Sequence, residues 1–170
     1  MDTNDLSLFI LQLGIGLTFA AHGAQKVFGW WGGPGLAGWE GAMEHMAFRP
    51  ARLFALASAF VELGAGLLLA AGLLTPFVAA ALVAQAVVIV VHVHWRNGFF
   101  NARSGIEFPL LLGLGAGALG LAGSAVGVDA LVGFAVGPSA RLAIVLGGVG
   151  AGLVALAVPR LNSRLITRAA

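Results

Sequence analysis

Residues 52–74, RLFALASAFVELGAGLLLAAGLL, decide the fold. After Arg52 they carry a single charge, Glu62, and the run is long enough to cross a hydrocarbon core that takes about 20 helical residues. Thr75-Pro76 breaks the run, and Phe77 to Trp95 is a second stretch without formal charge, so the two predict a tight hairpin of membrane-spanning helices. Working outward, Leu6 to Phe28 is uncharged until Lys26 and follows the polar start Asp2-Thr3-Asn4-Asp5, where Asn4 or Asp5 is expected to cap the helix. A fourth run begins near Ile106, has Pro109 in its first turn and ends in the glycine-rich stretch by Gly123. A fifth and shorter run, Leu142 to Val158, closes at Pro159-Arg160. No basic segment precedes the first run, so a cleaved signal peptide is not expected.

Composition agrees with a membrane solvent. Of 170 residues 59% are apolar and 26 more are glycine, while only nine Lys and Arg and seven Asp and Glu are present, too few to cover a wet surface. The net charge is +2 and the basic residues form no stripe, which sets nucleic acid aside. With no Cys, disulfides, thiol exchange, thiolate-bound metal clusters and covalent c-type haem are excluded, so any redox chemistry needs a borrowed cofactor.

Lys and Arg near span ends stay cytoplasmic. With the N-terminus outside, Lys26, Arg49, Arg52, Arg96, Arg103, Arg160, Arg164 and Arg168 fall on the cytoplasmic side and Arg141 alone falls outside. Five spans in a plasma (inner) membrane, N-terminus out and C-terminus in, are therefore expected. Residues 124–139 read as an outer loop or a partly re-entrant segment. The first cytoplasmic loop carries Trp30, Trp31 and Trp39, residues suited to the headgroup region, and Trp39, Met43 and Met46 share one face of a short interfacial helix between Ala37 and Ala47. Gly113 with Gly117, and Gly148 with Gly152, have the small-xxx-small spacing of close helix pairs, a spacing that chance also produces in so glycine-rich a chain.

Titratable groups inside spans are expensive and by default face a bundle interior and serve a function. His22 and Lys26 are four apart on one face at the end of span one, with Gln25 beside them. Glu62 lies ten residues beyond Arg52, hence ~15 Å down the axis and near mid-membrane. His92 and His94 end span three, with Gln85 two turns earlier on the face of His92, and Glu107 opens span four. These depths predict one polar cluster: His22, Gln25, Lys26, Glu62, His92 or His94, and Glu107. A plainer reading stands beside it, in which the carboxylates neutralise Lys26 or a histidine, Lys26 snorkels to the headgroups and the cluster fixes helix register. A carboxyl and imidazoles in such a pocket suit proton exchange and a quinone head or other small amphiphile. No metal site is expected, since neither Glu-x-x-His nor His-x-x-x-His occurs; a haem held by His22 and His92 or His94 is sterically conceivable and the weaker alternative.

At these residues the chain resembles the DoxX family of small membrane proteins. The carriers are His22-Gly23-Ala24-Gln25-Lys26-Val27-Phe28-Gly29, Val61-Glu62-Leu63-Gly64-Ala65-Gly66-Leu67-Leu68-Leu69, His94-Trp95-Arg96-Asn97-Gly98-Phe99-Phe100 and Gly105-Ile106-Glu107-Phe108-Pro109, together covering Leu6 to Asp129. The resemblance implies a four-helix domain over residues 1–129, with a Trp-rich cytoplasmic loop at 29–51. Residues 130–170 would then add a fifth transmembrane helix and a basic tail to an all-α transmembrane bundle. The segment Gly123–Asp129 departs from the family's Gly-Pro-Gly approach to a Ser-Leu-Asp. The resemblance further implies a subunit of a quinone-linked oxidoreductase, not catalytic alone, working in the lipid bilayer with a soluble or membrane redox partner. It names no catalytic residue and selects His94 over His92. A proton-coupled transporter or channel using Glu62, and an assembly protein docking a soluble partner through the Trp-rich loop, are the alternatives; a homo-oligomer is compatible with all three.

Overall fold

The structure, a computed structural model, describes residues 2–123 and 126–169, with side chains to Ser163. Its regular elements among these residues are all helices: α1 Thr3–Phe28, α2 Gly35–His45, α3 Ala51–Ala71, α4 Thr75–Asn97, α5 Glu107–Ala122, the single turn α6 Val128–Leu131 and α7 Pro138–Ser163. Four of them, α1, α3, α4 and α7, are long and apolar enough to cross a membrane. The remaining apolar helix, α5, has 16 residues and so rises only about 24 Å.

The relative lengths correct the sequence reading, which made the fifth span the short one. The C-terminal helix is the longer because Pro159 does not end it: the chain makes one turn at Leu156 and becomes helical again from Ala157. Pro159 then sits in a first turn, where its missing N–H is harmless. At the other end Asp2, rather than Asn4 or Asp5, caps α1, and its side chain and that of Asp5 each accept the other's backbone N–H.

Glycines set the packing. A side chain at Gly16 would lie 2.5 Å from the Ala70 backbone nitrogen, and one at Gly66 2.5 Å from that of Ala20, so α1 and α3 touch backbone to backbone. Helix α4 is central. Gly113 faces Ala86 and Gly117 faces Val83 from α5, while Gly148 and Gly152 meet the carbonyls of Ala80 and Ala84 from α7. Both glycine pairs marked in the sequence thus turn to the same helix. Phe19, Leu69, Leu82, Leu112 and Leu119 fill the centre, and Leu11, Leu67, Leu114 and Leu146 point outward, as a lipid-facing surface requires.

The two ends of the bundle differ. Loop 29–50, the α4–α5 loop and the end of α7 gather at one, where Asn162 Nδ2 donates to Ala47 O at 2.9 Å. At the opposite end α4 begins with Leu74 in a left-handed conformation (φ 53°) and no cap of its own. Asp129, on α6, supplies it: Oδ1 accepts the Leu74 N–H at 2.8 Å, Oδ2 that of Thr75 at 2.9 Å, and the Asp129 N–H donates to Gly72 O. Arg141 donates to the Ala122 carbonyl that ends α5. Asp129 and Arg141 thus cap helix ends from within and beyond the segment 126–139; Ser124 and Ala125 lie outside the described residues, as do the side chains of Arg164 and Arg168.

Candidate ligand pocket

Two helices of the hairpin leave α-helical geometry at the level where the polar residues gather. Val61–Ala65 in α3 and Ile89–His94 in α4 are π-helical. An i→i+5 turn takes up about one residue more than an α turn, rotating everything beyond it by roughly 100°, and such bulges are frequent at functional sites. The shift in α4 explains a correction. By α-helical phase His92 follows Gln85; the π turns carry it away, and His92 donates through Nε2 to Met46 O at 3.1 Å while its ring packs edge-on to Phe48. His94, not His92, lines the cavity described below. Its Nδ1 lies 2.5 Å from Ser104 O, which only accepts, so Nδ1 carries the proton.

The centre is a pair. Lys26, in the last turn of α1, points inward, and its Nζ lies 2.5 Å from Glu62 Oε1 with the lysine side chain 13% and the glutamate 2% exposed. Lys26 therefore does not snorkel to the headgroups. Gln85 Nε2 donates to the same oxygen at 3.1 Å and to Ser58 O at 3.4 Å. Glu62 Oε2 is buried and has no partner, a costly arrangement unless something completes it.

Trp39 closes this network from the loop. Glycine and proline turns around Gly33 and Pro34 fold α2 back onto the bundle, where Trp39 Nε1 donates to Ser58 Oγ at 2.8 Å and its ring lies 4.4 Å from Lys26 Nζ. This corrects the expectation of three headgroup anchors: Trp30 and Trp31 are exposed, but Trp39 is a wall of the site. Met43 is buried beside it, with Met46 partly so.

A cavity of about 350 Å³ opens onto these groups, walled by Phe19, Ile89, Val93, Phe108, Pro109 and Leu112, with His22, Lys26, Glu62, His94 and Asn101 supplying polar atoms. His22 packs edge-on to Phe108, ring centres 5.6 Å apart. Of the seven residues marked in the sequence, His22, Lys26, Glu62 and His94 thus share one cavity. Gln25 faces a separate hollow with Thr18 and Trp31. Glu107 stands outside the cavity wall, its Oε2 accepting the Asn101 N–H at 2.9 Å and so shaping the loop that brings Asn101 in. Gln85, Trp39, Ser58 and Asn101 complete the site; only Gln85 left a signal, a polar side chain in the middle of an apolar span. No group of three metal-ligating side chains converges among the described residues.

Comparison with known proteins adds one match and two blanks. The DoxX family model matches residues 7–95, from the first turns of α1 almost to the end of α4, more than half of the chain. Lys26, Glu62, Gln85 and His94 lie inside that stretch; α5 and α7 lie beyond it. No curated protein and no solved structure matches the chain.

Proposed function

We propose, from the premise that the chain belongs to the DoxX family, that it is a plasma-membrane subunit seating the head of a quinone or similar small amphiphile between Lys26, Glu62 and His94. The observation that carries this reading is the unpartnered Glu62 Oε2 on a cavity whose other walls are apolar. Mostly apolar clefts of this size with a few convergent polar groups are the usual form of a small-molecule site.

Reduction of a quinone to a quinol takes two electrons and two protons. The electrons come from a partner redox protein at the loop end, which we assign to the cytoplasm, with the N-terminus outside, on the excess of basic side chains there. The protons pass through His94 and the Glu62 carboxyl, the proton-exchanging side chains on the cavity wall. Toward the other end the bundle is filled by Phe19, Leu69, Leu82, Leu112 and Leu119, so the polar groups end in a blind chamber, which favours a binding site over a channel.

The test is extraction and titration. Protein purified in nanodiscs should carry a membrane quinone identifiable by mass, and a tail-less naphthoquinone should quench Trp39. Glu62→Gln and His94→Ala should each weaken that titration by about ten-fold, the worth of one hydrogen bond to a charged partner. Unaltered titration in both variants would remove the pocket from the function.

A further inference from the structure

A second cavity adjoins the first. It is a groove of about 320 Å³ between α4, α5 and α7, and its walls, among them Val87, Val90, Pro109, Gly113, Val149 and Leu153, hold no polar side chain at all. Pro109 lines both cavities. We infer that this groove takes the polyprenyl tail of the amphiphile whose head sits beside Lys26 and Glu62, an inference that rests on the function proposed above.

Two further hollows adjoin the chamber and both carry polar side chains: one shares Trp39, Ile89 and Val93 with it and bears Ser58 and Gln85, the other shares His22 and bears Thr18 and Gln25. His22 and Phe108 meet across the α1–α5 gap, and farther along that gap a side chain at Gly115 would lie 2.8 Å from Ile15 Cδ1. The leucine core fills the far side. The α4–α5 seam is shut above by Gly113 against Ala86, where an added side chain would come within 2.6 Å. The wholly apolar way out is the seam at Pro109, one turn nearer the loop, where the first turn of α5 needs no N–H and tolerates the ring. From there the groove follows α4 from Val90 to Val83, on the order of 10 Å, and a longer tail passes on into lipid. Its third wall belongs to α7, outside the stretch that matches the family model. Tail recognition is thus a property that the C-terminal helix adds to the head site.

Two probes separate the head from the tail: a tail-less naphthoquinone, and a polyprenyl quinone with a photoreactive diazirine in its first tail unit. On the full chain in nanodiscs, the diazirine should label residues of the groove, and excess tail-less quinone should displace the label. Leu153→Trp fills the groove from a position already 56% exposed, so the core is spared. It should weaken the polyprenyl quinone by about ten-fold, roughly two methylenes of lost contact, and leave the tail-less one unchanged. Label on the outward faces of α1 or α3, groove label that the tail-less quinone does not displace, as an acyl chain or a second copy of the chain would give, or equal weakening of both probes would each overturn the tail path. Failure of the tail-less probe to bind the unaltered protein would instead strike the head site.

Discussion

Glu62 and Asp129 are both carboxylates buried to within 2% of complete, and they do opposite work. Asp129 uses both oxygens, each on a backbone N–H at the start of α4. Glu62 crowds Lys26 and Gln85 onto one oxygen and leaves the other bare beside a cavity. The first is a finished structural bond between an acidic group and a helix N-terminus. The second is an unfinished one, and on the function proposed above the difference separates a residue that holds the fold from one that receives a ligand.

The contrast can be broken by substitution. The largest expected effect is at Lys26→Met, which strands Glu62 in the bundle and should lower stability by about 3–5 kcal/mol; the double variant Lys26→Met/Glu62→Gln should recover most of it, measured by thermal unfolding in detergent. Asp129→Ala should follow, at about 2 kcal/mol for a lost cap, with no change in quinone titration. Glu62→Gln alone should cost less than about 1 kcal/mol, because Lys26 has a flexible stem near the helix end and finds the headgroups by itself; if it destabilises as much as Asp129→Ala, the two carboxylates are alike and the contrast is lost. Smallest is the pair of histidines: His92→Ala should leave ligand titration within about two-fold, since its partner is a loop carbonyl and its loss is a modest net hydrogen bond, whereas His94→Ala should weaken it.

Most of the bundle was legible because hydropathy and charge position are long-range signals, and Arg52, Thr75-Pro76 and Pro109 punctuate them. What stayed hidden has local causes. The π turns at Val61–Ala65 and Ile89–His94 leave no mark in the run of valines and glycines, so phase reasoning assigned His92 to the pocket, and the family resemblance, not helical geometry, selected His94. Trp39 was read as a headgroup anchor because its indole suits either place; only the path of the loop decides. Asp129 was set aside as part of a degraded segment. Its signal was indirect: α4 starts at Thr75-Pro76 with no capping side chain of its own, and an uncapped helix start inside a membrane protein needs a partner from elsewhere. Length misled once, at the fifth span, because Pro159 was taken as a terminator when a single turn at Leu156 lets the helix resume.

The glycine contact between α1 and α3 also bears on how the chain enters the bilayer. Lys26 and Glu62 sit on consecutive spans, and Gly16 and Gly66 let those spans close on each other without waiting for α4 or α5. The basic and acidic groups can thereby pair with two spans alone in the bilayer, and neither charge needs a third helix for its partner.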